Sequence, residues 1–275
     1  MRTLQVGCEI VYDVAYETPA VFLVQPSLVD GATLLTEAWQ TTPVLKQHSF
    51  LDIYGNRCER MTLPVGECTV RFDATVVVPD GPEAVDLDAR EVSIEDIPDE
   101  ALIYTLPSRY VLPDLLGNKA WELFGSTAPG YRRVQAICDY VNGHLRFAYG
   151  TSRPTTTALD VYEAGVGVCR DFTHLGITFC RALNIPARYV FGYLPDIDQL
   201  NAVPSPPMDF AAWMEVFLDG SWWTFDPRNN ATRKGRVVIG RGRDAGDVAM
   251  VTTFGGPALR RMDVIAEQIK DGGQP

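Results

Sequence analysis

Histidine is scarce in this chain: three residues in 275, at positions 48, 144 and 174. Cysteine is little commoner, with six residues, too few for a disulfide-built scaffold. No CxxC or CxxH pair has zinc-ligand spacing, so neither a metal site nor another cofactor is expected. Basic residues are outnumbered, 24 against 35 acidic, giving a net charge of −11. That balance argues against nucleic acid, which needs a basic patch for its phosphates, and against an anionic membrane surface. No apolar run approaches the roughly 20 residues that span a bilayer. The opening Met1-Arg2-Thr3-Leu4-Gln5-Val6-Gly7-Cys8-Glu9 has no apolar signal-peptide core. A cytoplasmic protein with no membrane partner is expected.

What is present is an ordinary globular composition, 46% apolar and 21% charged, long enough for one large or two smaller domains. Residues 1–80 read as short strands. Thr69 to Val78 is strongly β-branched, and Tyr54-Gly55-Asn56 carries turn chemistry. Strand runs at roughly ten-residue spacing suggest a small β-sandwich. Residues 81–118 are acidic and proline-containing with little periodicity, and read as a connector on the surface. Beyond them the period changes. Tyr131, Val134, Ile137, Cys138, Val141 and Leu145 fall on one helical face, with Pro129 suited to the first turn. Thr157 is placed to cap a helix over 158–164 that Gly165 ends. Another helix is predicted from near Cys169 to about Leu183, with an apolar stripe of Leu175, Phe179, Ala182 and Leu183. Strands follow at 187–193, 210–218 and 221–225, the last two joined by an Asp219-Gly220 hairpin turn. Residues 203–208 read as a proline-rich loop, and 236–239 and 249–254 as strands closing the core. The fold class expected is α+β, and a third region at 119–275 holds its helices and antiparallel sheet.

The chemistry concentrates around Cys169. Gly165 and Gly167 allow a sharp turn before it, and a sulfur at a helix N-terminus meets free N–H groups and a favourable dipole. These favour thiolate and also suit an acyl oxyanion. Downstream come Ala211-Ala212-Trp213-Met214-Glu215-Val216 and Trp222-Trp223-Thr224-Phe225-Asp226-Pro227. The cysteine with its Arg-Asp, the segment Arg181 to Tyr189, Gly192-Tyr193, the Trp213/Glu215 strand and Trp222 through Pro227 resemble, in order and spacing, the transglutaminase-like superfamily. Asp52-Ile53-Tyr54-Gly55-Asn56 and its surroundings resemble the β-rich domain that precedes this core in bacterial members regarded as candidate cysteine proteases.

The resemblance implies a papain-like core, a peptide, protein or other acyl substrate, and a thiol acyl-transferase or hydrolase. Cys169 would be the nucleophile and Asp226 the carboxylate that orients a histidine. The family reads His-Ala-Trp where this chain has Ala211-Ala212-Trp213, so the proton-carrying member is missing. His174, about 500° along a helix from Cys169 and so about 140° away from it in rotation, reads as structural. His144, late on the preceding helix, could approach Cys169 only through tertiary packing, and His48, in the β-rich region, has no motif around it. A thiol with an ordinary pKa is still about 3% ionised at pH 7, so Cys169 retains some reactivity, opposed by a bare Asp226 carboxylate. Leaving-group protonation is the larger loss, which favours activated esters or thioesters over amides. Asp171 is expected to form a local ion pair or helix N-terminal interaction, with a role in tuning the thiol as the sharper alternative. Glu215, at an even offset from Ala211, faces the same side of its strand and is a candidate substitute base. Trp213, Trp222 and Trp223 read as core and cleft wall. The cluster Arg233, Lys234, Arg236, Arg241 and Arg243, mixed with glycines, reads as a solvated loop or a set of interdomain salt bridges, with an anion site as the alternative. The alternative to an enzyme is a binding module that kept its cleft after losing catalysis.

Overall fold

The computed structural model describes residues 1–29, 31–198 and 208–269. Most of the predicted proline-rich loop, residues 203–207, lies outside the described residues. Six strands come first: β1 (Arg2–Val14), β2 (Thr18–Phe22), β3 (Thr33–Thr42), β4 (His48–Leu51), β5 (Arg57–Leu63) and β6 (Gly66–Val78). In β6 every second residue from Cys68 to Val78 is buried, the period of a strand with one face in a core. Its partner β1 buries Leu4, Val6, Cys8, Ile10, Tyr12 and Val14 on the matching face. Gly7 sits where a Cβ would fall 2.3 Å from the carbonyl oxygen of Phe72, so no other residue fits at that crossing. Phe22 of β2 packs against Trp39 of β3, which in turn packs on Phe72 of β6, joining two four-stranded sheets into the expected sandwich.

Helices α1 (Asp99–Leu102) and α2 (Pro113–Phe124) arise inside the stretch expected to be a surface connector. That expectation missed how much of it is covered: Ala89, Ile97, Ala101, Tyr104 and Val111 are all buried. Spaced singly among acids and prolines, they leave no periodic signal. Then come α3 (Tyr131–His144), β7 (Arg146–Phe147), α4 (Ala158–Ala164), β8 (Val166–Gly167) and α5 (Cys169–Ala182). Pro129 lies outside α3, which is entered instead through Gly130 at a φ of 98°. Thr157 and Asp160 make the reciprocal cap of α4, and Gly165 closes it in the left-handed region.

Helix α5 is buried on all sides from Asp171 to Arg181, not along one stripe, because α2, α3 and α4 surround it and a sheet backs it. That sheet runs β11 (Ser221–Phe225), β10 (Ala211–Leu218), β9 (Ala187–Tyr193), β12 (Val237–Gly242). Asp219 and Gly220, both at positive φ, make the tight β10–β11 turn. Ala212, Met214 and Val216 of β10 face the helices, whereas Ala211 and Trp213 pack with Val190 and Val238 on the other face.

Of the two strands expected to close this sheet, 236–239 does so as β12, whereas 249–254 does not, and a further strand follows that was not foreseen. β13 (Val251–Thr253) pairs with β2, and β14 (Ala258–Gln268) pairs along β1. The third region drawn at 119–275 therefore ends its core sheet near Gly242, and the chain returns to complete the N-terminal sandwich. Edge strands look alike in sequence whichever sheet they join, so their destination is a tertiary property.

Candidate functional site

Cys169 is the first residue of α5. Val168 is still extended, and its N–H is taken by the Asp171 carboxylate at 2.9 Å. The same carboxylate accepts from Arg170 and from the Ser152 hydroxyl. Asp171 is thus a buried cap that sets the start of the helix, with its lone pairs committed. The partly buried thiol opens on a cleft of about 190 Å³ whose walls include Ala211, Asp209, Arg228 and Asn229.

The surroundings of the thiol disfavour its ionisation. Burial pushes its pKa up to about 11, and Asp209 adds to the rise. Arg228 and the backbone N–H groups of Ala212 and Arg170 act in the other direction without overcoming it. The helix N-terminus alone suggested easier ionisation. The structure corrects this, because a sulfur covered by protein loses more solvation than two N–H groups return.

Asp226 follows β11 directly. Continued by one pair, the β10–β11 register sets it opposite Trp213, which places Asp226 and Ala211 on one sheet face as diagonal neighbours. Its Oδ1 accepts from the N–H groups of Arg228 and Asn229, and its Oδ2 from the Asn229 side chain and Arg236. Four hydrogen bonds fill a carboxylate's acceptor capacity. Burial acts to raise its pKa, but Arg236 and the Asn229 donors outweigh that and hold it below the ordinary carboxylate range. Asp226 is therefore not the bare charge expected beside the thiol. Asn229 is the link that sequence reasoning missed: it lines the cleft and also donates to Asp226. Its position three residues past the aspartate was visible, but its direction was not.

Cys169 and Ala211 thus border one cleft, while Asp226 lines a separate cavity with Arg236 and meets the cleft through Asn229. The family model described as transglutaminase-like superfamily matches residues 118–227. These residues form a transglutaminase-like domain. An uncharacterized protein of Mycobacterium leprae is 25% identical over 267 residues, 92% of this chain and 94% of that one. Another, from Mycobacterium tuberculosis, is 34% identical over 148 residues, 50% of this chain and 46% of its own length. Among solved structures, a candidate cysteine protease from Cytophaga hutchinsonii superposes with a TM-score of 0.89 at 29% identity, covering 100% of this chain and 93% of that one.

The rest of the transglutaminase-like domain explains the remaining candidates. Among the described residues no histidine lines the Cys169 cleft. His174 stacks between Tyr110 and Tyr189, and its Nε2 accepts the Ala245 N–H at 3.1 Å, so the proton sits on Nδ1. Burial, with Arg170 and Arg181 nearby, holds its pKa well below the usual histidine value, and the ring is neutral. His144 is bonded through Nε2 to the Tyr162 carbonyl, between two tyrosine rings. His48 is exposed on β4 in the sandwich.

Glu215 does share a sheet face with Ala211, but it lines a different cavity of about 290 Å³, with Trp213 and Arg236. Arg188 and Arg241 both hold its carboxylate. Burial raises its pKa, yet these two guanidinium groups win and keep it ionised and below the ordinary range. A carboxylate so paired is a poor base. Trp213 is fully buried beneath the Arg236 guanidinium. Trp222 lies under Arg188, and Trp223 bonds to the Leu218 carbonyl. None of the three is among the residues lining the Cys169 cleft; Trp213 is core and also lines the Glu215 cavity, and Trp223 packs against the core. In the basic cluster Arg233 pairs with Asp196 and Asp198, Arg236 with Glu83 and Asp226, and Arg243 with Asp247, as salt bridges.

Proposed function

We propose that this chain is a transglutaminase-like thiol acyl-transferase or hydrolase with Cys169 as nucleophile and a proton relay interrupted at Ala211. The observation that supports it is the shared cleft. The thiol, the family's histidine position and Asn229, bonded to Asp226, all border one space, and only the imidazole is missing. In the reaction the sulfur attacks an acyl carbon, an S–C bond forms, and the leaving group departs as its bond to that carbon breaks. The thiol proton goes to solvent, and solvent supplies any proton the leaving group requires. A thiolate or activated alkoxide leaves under those terms and an amine does not, so esters and thioesters are the substrates favoured. Six free cysteines fit a reducing, cytoplasmic setting.

Restoring the imidazole tests this reading. Ala211→His is expected to raise acyl transfer or amide hydrolysis by about 10² or more, and Cys169→Ala in the same background is expected to abolish it. No gain across a panel of peptide amides and thioesters would refute it. The second reading, a binding module, is supported by a cleft with Ala211 and no histidine among its described lining residues, where burial pushes the Cys169 thiol up to about 11. It predicts peptide binding that survives Cys169→Ala, with no acyl-enzyme detectable by mass spectrometry.

A further inference from the structure

Arg228 is the cation of the Cys169 cleft that the relay does not use. Its backbone is fixed from three directions: its N–H is held by Asp226, its carbonyl accepts from Asn142 of α3, and Asn142 also reaches the carbonyl of Pro227. The guanidinium lies over the Phe147 ring, 4.0 Å from its centroid. Among the described residues no carboxylate comes within 4.0 Å of it, whereas Arg233, the other arginine on the wall, is held by Asp196 and Asp198. Residues 199–207, the stretch just before Met208 on the cleft wall, contain no acidic residue in the sequence.

A guanidinium held in place by backbone and ring, sharing a cleft with a nucleophile and outside ion-pair distance of any described carboxylate, is an anion receptor, because its donors are already oriented and partly desolvated. Asp209 on the same wall sets the opposite sign. Its Oδ1 accepts the Phe210 N–H, and it makes no ion pair with Arg228. A neutral acyl chain would leave the cation idle, and a cationic one would be repelled from it.

We propose that Arg228 anchors an anion beside Cys169, so that the acyl donor accepted in this cleft carries a carboxylate close to its reacting carbon. The donor half of this statement rests on Cys169 being the nucleophile; the anchor half does not. Alkylation separates them. Iodoacetate and iodoacetamide react at the same sulfur, forming a thioether as iodide leaves and the thiol proton goes to solvent, and they differ in one negative charge. Taking the ratio of their rates at Cys169, read by peptide mass spectrometry at one pH, cancels any change in thiol pKa.

Arg228→Met, which keeps an apolar stem on Phe147, is expected to lower the iodoacetate-to-iodoacetamide ratio roughly tenfold. Arg228→Lys should keep most of it, and Asp209→Asn should raise it. In the unsubstituted protein the ratio should fall as sodium chloride is added. A ratio indifferent both to Arg228→Met and to salt overturns the anchor, and the salt series stands even where the variant does not fold. The donor half is read with S-succinyl and S-butyryl thioesters of one small thiol. The succinyl compound is expected to acylate Cys169 with the lower KM, and Arg228→Met to remove that advantage in KM more than in kcat. Equal KM values overturn the donor class. If neither thioester acylates Cys169, the nucleophile reading of the previous subsection fails, and the alkylation ratio still decides the anchor.

Discussion

A cysteine at a helix start is often read as an activated thiol, and Cys169 shows when that inference breaks. Two backbone N–H groups and Arg228 favour its ionisation, but cover by the surrounding protein outweighs them. With a pKa of about 11, only about one thiol in 10⁴ is ionised at pH 7. The sign follows directly: raising the pH through that value creates the nucleophile, and lowering it removes it. Iodoacetamide labelling of Cys169 should therefore climb about tenfold per pH unit from 7 to 10 and level off only near 11. An inflection below pH 8 would mean that the cleft activates the thiol. In Ala211→His the inflection should move down, because an adjacent imidazolium favours thiolate. That imidazole meets an Asp226 already holding four hydrogen bonds. The Asn229 amide is the partner best placed to pass from Asp226 to the new ring, as it already borders the cleft.

Helix α5 is the element on which the site depends, and its C-terminal end matters as much as the cysteine at its start. Arg181 is buried and carries no direct ion pair among the described contacts. It donates instead to the carbonyls of Ala187, Leu106 and Arg243 and to the Ser108 hydroxyl. Burial brings its pKa down to about 10, the largest influence on it. Through these bonds one side chain ties α5 to β9, to the stretch after α1 and to the strand end beyond β12. Arg181→Met would keep the volume but orphan several buried carbonyls, a loss of roughly 3 kcal/mol. Urea unfolding checks it, and a change within about 0.5 kcal/mol would show that water replaces the guanidinium. Such a helix, wrapped on every side, is poorly read from an amphipathic stripe. Its sequence announces the faces that are apolar, while Asp171, His174 and Arg181 are buried because each finds a partner outside the helix, and Thr173 is buried donating back to the Cys169 carbonyl.

At the scale of the whole molecule, the sandwich and the transglutaminase-like domain are bound into one body. The loop Asp52-Ile53-Tyr54-Gly55-Asn56 turns with Gly55 at a φ of 79°. Asn56 then donates to the Arg241 carbonyl and accepts the Arg241 N–H, each at 2.8 Å. Tyr54 reaches Asp247. Asn56 thus satisfies backbone groups along β12, the outer strand of the core sheet, as a neighbouring strand would. Asn56→Ala should cost about 2 kcal/mol, with the sandwich and core still unfolding together. Two separated transitions in the unsubstituted protein would contradict a single cooperative body. The return of β14 to β1 adds a second clasp, from the far end of the chain.

The sequence by itself determined the local order and the chemical identity of the site. The β-branched alternation of residues 69–78, the Thr157 cap, the Asp219-Gly220 turn and the Cys169, Trp213 and Asp226 series act within a few residues or through a fixed motif order. Periodicity and turn chemistry make such features legible. Legible too was how few histidines the chain has, three, with an alanine at position 211. What only the tertiary structure decided was where side chains separated in the chain meet. It gave Asp226 to Arg236 and Asn229, Glu215 to two arginines, and the last two strands to the first domain. It left Arg228 on the wall of the thiol's cleft with no described carboxylate within ion-pair distance. Burial and counter-charges arrive from distant segments, and these set a thiol's pKa and a carboxylate's availability far more than the neighbours in sequence do.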